Sequence, residues 1–197
     1  MHGNNKEVSA VTMPLRIRAS MRLRSNMNIV LTGFMGSGKT AVGEALAVKT
    51  GRRFLDTDAM IKAECTITIK EIFEKFGESG FRRIEYEIVK KAARYKNVVI
   101  ACGGGVVLNE NNIKFLRRKG LIICLHAKPE EIYKRIKGDT SRPLLNCPNP
   151  VSEIRKLLKE RKSFYANCDY SINTDGLSVD EIVGKILQRV RQTASKK

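Results

Sequence analysis

Residues Asn28 to Thr40 read Asn-Ile-Val-Leu-Thr-Gly-Phe-Met-Gly-Ser-Gly-Lys-Thr, an apolar strand running into a glycine-rich turn that closes on Lys-Thr. The order and spacing are those of a loop that cradles the phosphates of a nucleoside triphosphate. Gly33, Gly36 and Gly38 have no Cβ, so the backbone can wrap a phosphate and aim several N–H groups at it. Lys39 can reach the β- and γ-phosphates, and the Thr40 hydroxyl can ligate Mg²⁺. The stretch Ala41–Val48 continues as a helix whose N-terminus adds its dipole to the anion site. A chain that begins its core this way is committed to strand, phosphate loop and helix in succession.

The rest of the sequence extends that commitment. Short apolar strands at Arg53–Asp56, Val98–Cys102, Leu121–Leu125 and, more weakly, Ser171–Asn173 alternate with helical patterns. Those patterns cover Thr68–Phe76, Ser79–Tyr95, Asn109–Lys119, Pro129–Lys137, Val151–Ala166 and Ser178–Gln192. The alternation predicts an α/β fold with a parallel sheet and helices on both faces. A length of 197 residues at 42% hydrophobic content fits one such domain over residues 27–192, with a short tail at 193–197. Between two helices, Gly138–Pro150 carries Gly, Asp, Ser, Asn and three prolines and reads as a loop, the expected mobile lid.

Composition excludes several classes. The five cysteines, Cys65, Cys102, Cys124, Cys147 and Cys168, are scattered and never spaced as CxxC, which argues against a disulfide framework or a zinc site and places the chain in a reducing cytoplasm. Only His2 and His126 could serve a histidine-dependent hydrolase, and His126, at the end of an apolar run, reads as a strand-end residue. No apolar run reaches membrane-spanning length. The net charge of +17 invites a nucleic-acid reading, but lysines and arginines are interleaved with glutamate on helical segments, as on solvated faces, and no nucleic-acid module is recognisable. An electropositive cleft equally suits small anions. Residues 1–26 carry five basic residues against the single Glu7 without amphipathic pattern and read as a disordered basic extension, with a targeting segment or an ordered arm as the alternatives.

The pair in Asp56-Thr57-Asp58 follows the second strand, and in an open parallel sheet ligands bind outside the carboxyl ends of the strands. Two carboxylates there can divide labour, one on Mg²⁺ and one taking a proton from an acceptor hydroxyl. A turn or helix N-cap is an equally available role for either. The strand Val98–Ala101, where many ATPases carry their metal aspartate, ends instead in Cys102 and Gly103-Gly104-Gly105, so Asp56 is the best-placed metal carboxylate.

Taken together, Gly33–Thr40, Asp56-Thr57-Asp58, Phe81-Arg82-Arg83-Ile84-Glu85, Gly103-Gly104-Gly105 and Arg142-Pro143-Leu144-Leu145 resemble the shikimate kinase family, over about residues 27 to 192. The resemblance implies a three-layer P-loop kinase of the nucleoside-monophosphate-kinase type and transfer of a phosphoryl group from ATP to shikimate. It implies ATP contacts from Gly36, Ser37, Gly38, Lys39, Thr40, Ala41, Arg135 and Arg142, with Mg²⁺ at Thr40 and Asp56. It implies a shikimate site at Asp58, Arg82, Glu85, Gly103, Gly104, Gly105 and Arg161, with Lys39, Asp58 and Arg142 catalytic. The physical reading agrees: a carboxylate on a hydroxylated ring needs a guanidinium fork, which Arg82 supplies, and Glu85, three residues on, can orient that fork or accept from the ligand. Gluconate kinases share the fold, but their second strand leads into a histidine-proline motif, whereas this one leads into Asp58-Ala59-Met60. The segment Ile172–Asp175 resembles the adenine-side loop without the proline that often follows it. The expected partners are ATP and shikimate, with no membrane, no specific nucleic acid and a monomeric chain.

Overall fold

The computed structural model describes residues 27–138 and 147–195. The basic segment 1–26, Arg142 and most of the expected lid lie outside these residues. The elements run β1 (Asn28–Thr32), α1 (Lys39–Thr50), β2 (Arg53–Asp56), α2 (Thr57–Cys65), α3 (Ile69–Ala92), β3 (Val98–Ala101), a 3₁₀ turn (Val106–Leu108) and α4 (Glu110–Arg117). They continue with β4 (Gly120–His126), α5 (Pro129–Ile136), α6 (Pro150–Glu160), α7 (Lys162–Ala166), β5 (Tyr170–Asn173) and α8 (Val179–Ser195).

The five strands pair in parallel in the order β2-β3-β1-β4-β5. β1 and β3 lie inside the sheet and are buried throughout, as expected of strands covered on both faces. Alternation along β1 sorts the layers. Ile29 and Leu31 face a cluster with Val42 and Leu46 of α1 and Ile182, Val183 and Ile186 of α8. Val30 faces the opposite cluster, with Val89 of α3 and Ile113 and Leu116 of α4. A smaller group, Ile61, Ile72, Phe81 and Ile88, joins α2 to α3. Another, Phe34, Ile132, Ile136 and Ile154, seats α5 and α6 beside the phosphate loop. Among the described residues no helix is long and apolar enough to cross a membrane.

Two details depart from the sequence expectation. α2 is a helix where no helix was expected: it follows β2 with no intervening loop, and Asp56 ends the strand while capping the helix, its Oδ1 accepting from Asp58 N and Ala59 N. The single helix expected over Val151–Ala166 divides at Arg161, whose φ of −95° and ψ of 6° break the ladder between α6 and α7. The expected pair of helices at 68–76 and 79–95 is borne out within α3, the two separated at Gly77, where φ 64° and ψ −175° form a conformation nearly reserved for glycine. A capping box of Thr68 and Glu71 starts that element, and Glu71 is held below the usual carboxylate range by its bonds to the Thr68 side chain and backbone.

Candidate active site

The phosphate loop sits at the carboxyl end of β1. Gly33 has φ 136°, and a Cβ there would stand 2.1 Å from the Leu125 carbonyl oxygen, so the loop leaves the sheet through a gap only glycine fits. Gly38, at φ 94°, opens α1, whose first turn has no acidic residue and no side-chain cap. The N-terminal dipole of a 12-residue helix therefore faces the loop without an internal counter-anion. Lys39 is largely buried and folds back over the loop, its Nζ donating to the Phe34 carbonyl at 2.8 Å.

Across the cleft, the Thr40 hydroxyl donates to Asp56 Oδ2 at 2.9 Å while Oδ1 of the same carboxylate caps α2. The metal and cap readings of Asp56 are thus compatible, because they use different oxygens. A hydroxyl and one carboxylate are hard oxygen donors, and among the described residues no group of three or more His, Cys, Asp or Glu could form a protein cage for a metal. That donor set fits Mg²⁺, which is bound through one or two carboxylates with phosphates and water completing the shell. A cleft of about 300 Å³ is bounded by Lys39, Thr40, Asp56, Asp58, Gly104 and Arg135, with the buried Cys102 thiol in its wall.

The triple glycine after β3 receives the acceptor-side groups. A Cβ at Gly103 would lie 2.5 Å from Asp58 Oδ1 and 3.3 Å from Glu85 Oε1, and one at Gly105 would lie 2.3 Å from Arg82 Nη1. Asp58 and the Arg82 guanidinium thus rest directly on the turn, and side chains there would displace them. Arg82 is held in place by Glu85 at 2.8 Å and Glu78 at 3.1 Å. Burial by itself would lower its pKa, but the two carboxylates outweigh it and the cation is stabilised beyond its ordinary range. Glu85 is only 1% exposed, and burial pushes its pKa up against the pull of Arg82, with the Asp58 charge adding to the rise. Arg161, at the α6–α7 break, lies over the Phe34 ring at 5.9 Å.

On the far side of the loop, Arg135 donates to Glu131 at 3.0 Å, to Thr174 Oγ1 at 3.0 Å, to the Thr174 carbonyl at 2.9 Å and, more weakly, to the Gly36 carbonyl at 3.4 Å. It clips the phosphate loop to the segment after β5. Thr174 is fully buried and also bonds the His126 carbonyl, which gives His126 the strand-end backbone role its position suggested.

The shikimate kinase family model matches residues 35–191. The shikimate kinase of Thermoanaerobacter pseudethanolicus is 50% identical over 161 residues, covering 82% of this chain and 94% of that protein. That of Thermodesulfovibrio yellowstonii is 45% identical over 170 residues, covering 86% and 98%. The chain belongs to the shikimate kinase family. The solved shikimate kinase from Acinetobacter baumannii in complex with shikimate superposes with a TM-score of 0.83 at 38% identity, over 88% of this chain and 98% of that one. The expected P-loop kinase fold and phosphotransferase class are borne out.

Within this shikimate kinase fold the geometry gathers Gly36, Ser37, Gly38, Lys39, Thr40, Ala41, Asp56, Asp58, Arg82, Glu85, Gly103, Gly104 and Gly105 along one end of the sheet, with Arg135 and Arg161 on its flanks. Of the two roles open to Glu85, the structure displays the orientation of Arg82. Sequence reasoning missed Glu78, whose (i, i+4) spacing to Arg82 was a readable signal. It also missed Thr57, whose Oγ1 accepts from Gly103 N at 2.8 Å, and Tyr165, whose hydroxyl donates to the Gly104 carbonyl at 2.8 Å. Those two contacts join residues 46 and 61 positions apart and leave no local pattern.

Proposed function

We propose that the chain transfers the γ-phosphoryl group of ATP to the 3-hydroxyl of shikimate, with the roles assigned as follows. The observation that carries the reading is the seating of Asp58 and Arg82 on one glycine turn facing the phosphate loop, so that a proton acceptor, a carboxylate fork and a triphosphate cradle share one cleft. Shikimate lies over Gly103–Gly105 with its carboxylate on the Arg82 fork and Arg161. Glu85 keeps the fork aimed. Asp58 orients the acceptor hydroxyl and takes its proton as the oxygen bonds to phosphorus and the bond to the ADP oxygen breaks. Lys39 and the amides of Gly36–Ala41 neutralise the phosphate oxygens. Thr40 and Asp56 would hold Mg²⁺, which when bound screens the β- and γ-phosphate charge. Arg135 flanks the adenine side, and Arg142, outside the described residues, is assigned to the transferring phosphoryl group on family resemblance.

The same reading places the enzyme in the cytoplasm as a monomer without a specific nucleic-acid partner; none of the five cysteines forms a disulfide among the described residues, which supports a reducing compartment. An ADP-release assay with shikimate, gluconate and AMP offered separately tests the assignment. Turnover with shikimate alone is expected; preferential turnover of gluconate or AMP would overturn it.

A further inference from the structure

The glycine turn that seats the acceptor groups is tethered at two points. Gly103 N is held by Thr57 Oγ1 at the start of α2, and the Gly104 carbonyl by the Tyr165 hydroxyl from α7, on the other side of the cleft. Tyr165 is packed against both the cluster beneath α3 and α4 and the cluster beneath α5 and α6, so its ring is fixed by apolar contacts on two sides. The charges of Arg161 and Arg82 are both near enough to act on its hydroxyl. Burial pushes the phenol up to about 12 against the opposing pull of Arg161 and Arg82, so it remains a protonated donor at neutral pH.

A neutral phenol has one proton to donate and lone pairs to accept with. Here the proton goes to the Gly104 carbonyl at 2.8 Å, tying α7 to the turn. We propose that Tyr165 is a positioning residue for the acceptor, fixing the Gly104 peptide so that shikimate meets a prearranged glycine turn. The inference rests on the assignment of Arg82, Arg161 and the glycine turn to shikimate. A ring serving only the apolar core would need no hydroxyl aimed across the cleft.

The test is Tyr165→Phe in the full chain, with steady-state kinetics varying each substrate and a thermal melt alongside. The expected result is a rise of about 3- to 10-fold in KM for shikimate, with KM for ATP unchanged and kcat within about twofold. An unchanged KM for shikimate, with or without a lowered melting temperature, overturns the proposal, as does an equal rise in both KM values. If the Phe variant does not fold, Thr57→Val, which cuts the other tether, is measured in the same way: a selective rise in KM for shikimate supports the proposal and an unchanged one overturns it. A wild-type chain inactive on shikimate overturns the functional assignment itself, whereas a normal wild type beside an unaffected variant overturns this inference alone.

Discussion

Lys39 and Arg82 are both cations in the cleft, yet their loss should be felt in different constants. Lys39 neutralises charge that grows as the phosphoryl group moves, so Lys39→Ala should lower kcat about 10²- to 10³-fold while the protein stays folded, as measured by steady-state turnover. In the proposed reaction Arg82 meets a carboxylate whose charge does not change. Arg82→Ala should cost about 2–4 kcal/mol of acceptor binding, a rise of about 30-fold to nearly 1,000-fold in KM for shikimate, with KM for ATP little altered. The same substitution exposes a second effect through Glu85. That carboxyl is buried and its folded pKa is already raised, so native protein binds more protons than unfolded chain above the ordinary glutamate range, and its contribution to stability declines as pH climbs through the folded value. Removing Arg82 takes away the group that opposes the rise. Arg82→Ala should therefore lose more stability relative to wild type at pH 8 than at pH 5.5 in urea titrations, and an equal loss at both would show that Glu85 does not carry the effect.

Glycines in the two active turns make a sharper contrast at the level of elements. At Gly33 a Cβ would strike the Leu125 backbone oxygen at 2.1 Å with φ at 136°, so Gly33→Ala must move a central strand and should depress the melting temperature strongly. At Gly105 the obstacle is the end of the Arg82 side chain at 2.3 Å, which can swing away. Gly105→Ala should keep the melting temperature near wild type and raise KM for shikimate, so that thermal melts and kinetics separate the two substitutions. These turns were legible in the sequence because glycine, lysine and threonine occur there at fixed local spacing, and the strands were legible as apolar runs. α2 escaped because Thr57 and Ile61 are its only buried side chains, leaving no apolar stripe to see, and because the residue that starts it also ends a strand. The break at Arg161 escaped for the opposite reason: Ile154, Leu157, Leu158 and Tyr165 keep a helical rhythm across it, and only the backbone at one residue departs. Glu78, Thr57 and Tyr165 show what spacing omits, since two of them act through partners that the fold alone brings near.

For the molecule as a whole, the net charge of +17 is the property least explained by the site. On the helices several lysines and arginines are offset by glutamate, as in Lys90–Glu87, Lys91–Glu64, Lys114–Glu110 and Arg155–Glu130, so these segments are not purely basic surfaces. Binding to duplex DNA or RNA should accordingly be weak, without sequence preference, and should collapse between about 50 and 200 mM salt in a filter-binding titration. Removal of residues 1–26, which contain no catalytic motif, should leave shikimate turnover within about twofold of the full chain; loss of turnover in a folded truncation would make that segment part of the working site. The strand order β2-β3-β1-β4-β5 has a consequence for how such an enzyme can be altered. The strand that feeds the phosphate loop stands at the seam, with Asp58, Arg82 and the glycine turn all issuing from its β2–β3 flank and Arg135 and Thr174 from its β4–β5 flank. With the proposed roles, acceptor choice and donor choice are therefore written on opposite sides of one strand, like two halves of a hinge leaf. A transplant of residues 53–108 from a relative with a different acceptor could re-aim the enzyme without disturbing its nucleotide end, provided that Arg161 and Tyr165, which reach over from the donor flank, travel with the graft.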